Sequence, residues 1–210
     1  MNKQDIRALI KRERNYKLIV GLFNGLFKRF QKYEVINSEL IPIENNCIFV
    51  FNHSDYLDIP IIFSILGKRP AHALVKIELK KEFLGKILSL IGTVFVDRVD
   101  YESRRLAKNT LIDIVSQGGN ILLAPEGMRN RTDAVLLPFN GYGAVKIAQK
   151  TKCPIIIFAI SKYRKNAKKR FVRICDPFFI KEDESLDFAN NRLRNYLYNA
   201  LIKNEETTNI

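Results

Sequence analysis

From residue 40 onward, short apolar runs alternate with longer stretches of helical periodicity. The strand-length runs fall at 46–51, 71–75, 93–96, 120–124, 155–160 and 171–174, and the helical stretches at 57–66, 80–91, 102–116, 142–150 and 186–202. Strands interleaved with helices in this way make an α/β domain. The expected fold is therefore a mixed, largely parallel sheet flanked by helices. Gly118-Gly119 stops a helix before a strand, and residues 151–154 join the next helix to the next strand. No repeat, low-complexity tract or linker divides the region. A chain of 210 residues, 47% of them apolar, is long enough for one domain with a full core.

The first 36 residues read differently. The apolar run 18–27 is about half the roughly 20 residues that a spanning helix needs. Lys28 and Arg29 follow at once with no small-residue cleavage site, so a signal peptide is not expected. On a helix, Ile19, Leu22, Phe23, Leu26, Phe30 and Tyr33 share one face, with Lys17, Asn24, Lys28 and Gln31 opposite. Lys3, Arg7, Lys11, Arg12 and Arg14 add charge upstream. A basic amphipathic helix of this kind lies in the interface of an anionic bilayer without crossing it. The alternative is a helix that packs the same face on its own domain. Gly21 and Gly25 would permit close helix contact, so a hairpin serving both ends is also open. The expected division is a membrane-association segment at 1–36 and an α/β domain at 37–210.

A net charge of +13 calls for an anionic partner: nucleic acid, a membrane surface, or phosphorylated and acidic substrates. Nucleic acid is disfavoured, because the basic residues lack interleaved aromatics and form no helix-turn-helix or zinc pattern. Cys47, Cys153 and Cys175 are isolated and apolar-flanked, and read as buried free thiols of a reducing compartment. Nothing resembles HExxH or paired CxxC, so no metal is expected.

Phe51-Asn52-His53-Ser54-Asp55-Tyr56-Leu57-Asp58 closes the first apolar run of the domain. In α/β sheets the carboxyl ends of strands are where sites form. With His53 on a turn and Asp58 in the first helical turn, the carboxylate can orient the imidazole while the other ring nitrogen takes a proton. A substrate hydroxyl then stands where a hydrolytic triad has its serine. Taken alone, the same residues also suit a simple helix start. Two further strand ends carry an arginine: Gly92-Thr93-Val94-Phe95-Val96-Asp97-Arg98 and Ala124-Pro125-Glu126-Gly127-Met128-Arg129. Arg98 and Arg129 are each ordinary surface cations, but together on one edge they make an anion site suited to phosphate. Cys153-Pro154 followed by Ile155 to Ile160 is a proline-initiated buried strand.

In this order and spacing the four fragments resemble the glycerolipid acyltransferase family, above all its 1-acylglycerol-3-phosphate acyltransferases. Asn52-His53 through Asp58 is similar to the NHxxxxD block, and Gly92 through Arg98 to the GxxFxxR block. Pro125-Glu126-Gly127 with Arg129 resembles the PEGTR block, and Pro154 with its isoleucines the VPIxPVxI block. Met128 replaces the usual threonine and Ile157 the second proline, and the turn also resembles its glycerol-3-phosphate acyltransferase counterpart. The resemblance covers residues 40 to 180 or so.

What the resemblance implies is transfer of a fatty acyl group from a thioester to a lysophospholipid hydroxyl. It makes His53 the general base and Asp58 its orienting partner. It assigns Asn52, Arg98, Glu126, Gly127 and Arg129 to substrate binding. Acyl-CoA or acyl-acyl-carrier protein is then the donor, no cofactor is needed, and the enzyme sits on the cytoplasmic face of the cell membrane. Another acceptor (glycerol 3-phosphate, a lyso-ornithine lipid or another lysophospholipid) and a non-catalytic lipid-binding role are the alternatives.

Of the remaining polar residues, Ser54 reads as a helix cap, Asp55 as capping or solvated, and Asp97 as a partner of Arg98. His72 reads as a structural histidine. Lys162, Arg164, Lys165, Lys168, Lys169 and Arg170 read as a basic loop between two strands, either solvated or facing lipid headgroups or an acidic carrier protein.

Overall fold

The computed structural model describes residues 3–10, 12–30, 32–42, 46–163 and 169–208. Helices α1 (Lys3–Ile10) and α2 (Glu13–Phe30) precede strand β1 (Tyr33–Ile36). The chain continues through β2 (Ile48–Phe51), α3 (Asp58–Leu66), β3 (Ala71–Lys76), α4 (Phe83–Leu90) and β4 (Val94–Val96). It ends with α5 (Tyr101–Ser116), β5 (Asn120–Leu123), α6 (Gly143–Thr151), β6 (Ile155–Ile160), β7 (Arg170–Ile174) and α7 (Leu186–Thr208). One seven-stranded sheet has the order β1-β7-β6-β2-β5-β3-β4. Every pairing is parallel except that of β6 with β7.

The central strands read as unbroken apolar runs because both of their faces are covered. Ile48 and Val50 point into a core shared with α5, α6 and α7. Phe49 and Phe51 point the other way, into a core completed by α2 and α3. Such two-sided burial accounts for the wholly buried β2, β5 and β6.

Three parts of the chain depart from the sequence reading. Tyr33–Ile36 is not the end of the N-terminal helix but an edge strand, paired with β7 in the register Tyr33 to Arg170. The sheet therefore begins ahead of the expected boundary at residue 37. Four residues with a glutamate among them carry too little pattern to be told from a helix end, and only the pairing with β7 selects the strand. The helix expected at 80–91 is broken at Glu82, whose backbone is extended. A 3-10 turn precedes the break, and the chain folds back so closely that a Cβ on Gly85 would stand 1.9 Å from the Leu79 carbonyl oxygen. The last helix runs past 202 to Thr208 because Asn204 anchors its end. That side chain donates to the Ala159 carbonyl at 2.8 Å and accepts from Arg173 at 3.1 Å.

Of the apolar face expected on α2, Ile19 packs against the core while Leu22 is exposed. Among the described side chains of α2, Tyr16 and Val20 are buried, and the Tyr16 ring meets Phe63 of α3 edge-on at 5.6 Å. Leu18 is exposed as well. The side chains of Phe23, Leu26 and Phe30 lie outside the described residues.

Candidate active site

Because β2, β3, β4, β5 and β6 are mutually parallel, their carboxyl ends share one edge of the sheet. β7 runs the other way, so its first residue, Arg170, joins that edge. Along it stand Arg170, the end of β6, His53, the Glu126 turn, Lys76 and Arg98, in that order.

At the end of β2, the Asn52 amide accepts from Ile160 N–H at 2.7 Å and donates to Ile160 O at 2.9 Å. This carries the β2–β6 pairing one residue beyond the ladder and releases the chain at His53. Asp58, fully buried at the start of α3, turns back on that loop. Its Oδ2 accepts the N–H groups of Ser54 and Asp55, each at 2.7 Å, and lies 3.1 Å from His53 Nδ1. Its Oδ1 accepts from Arg170 Nη2 at 2.6 Å. Burial pushes the Asp58 pKa up, but the His53 and backbone hydrogen bonds and the Arg170 charge outweigh it and hold the group below its ordinary value. An ionised carboxylate can only accept, so Nδ1 carries the ring proton and Nε2 keeps its lone pair. Among the described residues Nε2 has no hydrogen-bond partner.

The helix start is organised by Asp58 and by Asp55, whose Oδ1 accepts Leu57 N–H at 2.8 Å. Among the described residues Ser54 Oγ is buried without a partner, so its hydroxyl does not cap the helix.

The loop after β5 grips His53 from both sides. Glu126 Oε1 accepts His53 N–H at 2.7 Å, Oε2 accepts Leu137 N–H at 3.0 Å, and Asn130 N–H donates to His53 O at 2.6 Å. Burial raises the Glu126 pKa against the pull of those amides. Gly127 makes the turn with φ +71°, where a Cβ would also come within 2.8 Å of Asn140 Nδ2. Asn52 and Glu126, which the resemblance groups with substrate binding, are thus buried and engaged with backbone. Asn130 was not singled out by sequence, since its function is wholly a matter of loop contacts.

Arg129 stacks its guanidinium carbon 3.5 Å from the Tyr56 ring centroid and donates to the Tyr56 hydroxyl at 2.7 Å. Arg98 is exposed beyond β4, three strand spacings from His53, or roughly 14 Å. Asp97 is engaged in its own turn, accepting the N–H groups of Val99 and Asp100 at 2.9 and 3.3 Å. Lys76, unremarked in the sequence, ends β3 between these two regions and is exposed. His72 is buried, with Nδ1 2.8 Å from the Gly92 carbonyl oxygen.

Of the six basic residues read as a loop, Arg170 is in fact a buried strand residue. Lys162 donates to the Thr132 and Ala134 carbonyls, and Lys169 pairs with Glu34. Arg164, Lys165 and Lys168 lie outside the described residues. All three cysteines are buried, and burial pushes the thiols of Cys47 and Cys175 up to about 11 and about 12.

A family model described as Acyltransferase matches residues 32–161, more than half of the chain. The chain belongs to the acyltransferase family. A probable 1-acyl-sn-glycerol-3-phosphate acyltransferase of Mycoplasma pneumoniae is 31% identical over 167 residues, which are 77% of this chain and 60% of the relative. A 1-acyl-sn-glycerol-3-phosphate acyltransferase of Borreliella burgdorferi is 32% identical over 126 residues, covering 60% of this chain and 49% of the relative. The chain thus spans about half to three fifths of these two relatives' lengths. The crystal structure of the 1-acyl-sn-glycerophosphate acyltransferase from Thermotoga maritima superposes with a TM-score of 0.74. At 24% identity it covers 91% of this chain and 82% of that one, and it shows that this acyltransferase shares the same fold.

Proposed function

We propose that the chain transfers a fatty acyl group from an acyl thioester to the free hydroxyl of 1-acylglycerol 3-phosphate, giving phosphatidic acid. The observation that carries this reading is His53, with Nδ1 on the buried Asp58 and Nε2 unengaged among the described residues at the carboxyl edge of the sheet. Nε2 takes the proton of the acceptor hydroxyl as its oxygen attacks the thioester carbonyl. The tetrahedral intermediate then collapses, the C–S bond breaks, and the imidazolium returns the proton to the departing thiolate. Such base catalysis contributes roughly 10² to 10⁴-fold, and positioning of the two substrates supplies more. The names of the relatives support the acceptor. The test is release of free thiol from one acyl thioester offered a panel of lysophospholipids, monoacylglycerol and glycerol 3-phosphate. Turnover without an acceptor preference for lysophosphatidate would reassign the substrate.

The acceptor phosphate has cations to meet along the edge. Arg98 stands about 14 Å from His53 by strand spacing, and an extended arginine side chain closes much of that distance. Arg98→Ala removes a charge-assisted contact of about 1.5 to 3 kcal/mol, so KM for lysophosphatidate should rise roughly ten- to a hundredfold. Monoacylglycerol, with no phosphate, should be acylated no worse than before. Equal losses on both acceptors would remove Arg98 from phosphate recognition.

Membrane contact through the N-terminal helices belongs to the same reading. Among the described residues no helix is long and apolar enough to cross a membrane. Leu18 and Leu22 are exposed on α2, as are Phe83, Leu84 and Leu90 on α4. The two helices are tied together, since Arg12 donates to the Ser89 carbonyl and Asn15 to that of Leu90. The double change Leu18→Glu and Leu22→Glu leaves Tyr16 and Val20 in the core, so it should weaken co-sedimentation with anionic liposomes without unfolding the protein. If this double variant still binds undiminished at high salt, where only the apolar share of the contact persists, the contact lies elsewhere.

A further inference from the structure

Arg170 reaches the catalytic edge because β7 runs antiparallel to β6. Its residue surface is 3% exposed, and its partner Asp58 lies 112 positions earlier in the chain. The guanidinium is fixed before it meets that carboxylate. Nε donates to Ser161 O at 2.9 Å, and Ser161 is clamped to Phe171 by its N–H at 2.9 Å and its Oγ at 2.8 Å. Nη2 then reaches Asp58 Oδ1 at 2.6 Å, while Nη1 is buried without a partner among the described residues. A buried ion pair of this kind adds little net stability over an apolar pair, because desolvation offsets the attraction. Its value therefore lies in what it does to Asp58.

We propose that Arg170 is the positioning residue of the acid–base pair: it holds Asp58 anionic, with Oδ2 set against His53 Nδ1, so that Nε2 remains the base. This rests on His53 and Asp58 acting as that pair in acyl transfer. The other charged groups around them are engaged elsewhere. Glu126 holds the His53 and Leu137 amides, Asp55 holds the Leu57 amide, Arg129 is stacked on Tyr56, and Lys162 is on two carbonyls. Arg170 is thus the cation that meets Asp58 directly.

The chain has only two histidines, so ¹⁵N-histidine NMR of the full chain can follow His53 directly, with His53→Ala giving the assignment. In the wild type, His53 should show the tautomer protonated on Nδ1. In Arg170→Gln that tautomer should mix with the other. The kcat should fall roughly 100-fold through misplacement of the base, with acceptor KM little changed. Without the cation, only the His53 and backbone hydrogen bonds oppose burial, so the Asp58 pKa should rise and the acid limb of kcat/KM should move to higher pH. Arg170→Lys keeps the charge but cannot hold Ser161 O and Asp58 from one plane, so it should recover activity only in part.

A folded Arg170→Gln protein with the wild-type tautomer, kcat and pH profile overturns the proposal. If that variant does not fold, Arg170→Met, which keeps the chain length without the charge, decides, and wild-type kcat and tautomer there overturn the proposal equally. A wild-type protein that releases no thiol would defeat the acyl-transfer reading, while the tautomer comparison still reports on Arg170.

Discussion

Replacing His53 with alanine is expected to lower acyl transfer by roughly two to four orders of magnitude. The fold should survive, because the His53 side chain is 19% exposed and its backbone ties to Glu126 and Asn130 do not involve the ring. Asp58→Asn should cost activity and stability together. A carboxamide offers an oxygen to one side only. Its NH₂ must then face either Arg170 or the amides of Ser54 and Asp55, all of them donors. Breaking a buried pair in this way costs about 3 to 5 kcal/mol. Thiol release measured beside thermal unfolding separates the two variants: His53→Ala dead but stable, Asp58→Asn impaired and less stable. A His53→Ala protein that turns over near the wild-type rate would end the general-base mechanism.

The parts of this molecule that sequence reveals are those with a local cause. Continuous apolar runs mark strands covered on both faces, so the strands that follow β1 and their interleaved helices stand out. His53 and Asp58 are five residues apart, and one turn plus a helix start suffices to join them. Arg170 is different. Nothing near it in the sequence distinguishes it from the other basic residues of the same run, and its ion pair exists only because β7 is inserted antiparallel beside β6. The same holds for β1, which is a strand by virtue of its partner. Glu126 and Asn52 sit in recognisable motifs, yet those motifs do not say whether a polar side chain meets substrate or backbone. Burial and hydrogen-bond partners supply that distinction.

Glu126 therefore offers the second large effect. Its two oxygens hold the amides of His53 and Leu137, and the residue is only 2% exposed. Glu126→Ala leaves two partly buried N–H groups unpaired, at about 1 to 3 kcal/mol each, so a stability loss of about 2 to 6 kcal/mol is expected. Glu126→Gln keeps the shape, but its NH₂ must confront one of the two donors, so it should restore only part of that loss. Because the His53 backbone is held through this carboxylate, kcat should fall in both variants, while KM for the acceptor changes little. A residue that touched the acceptor would behave in the opposite way. Its loss would raise acceptor KM and leave the denaturation midpoint in place. Steady-state kinetics beside urea unfolding tells the two apart, and an unchanged midpoint with a raised acceptor KM would return Glu126 to the substrate site.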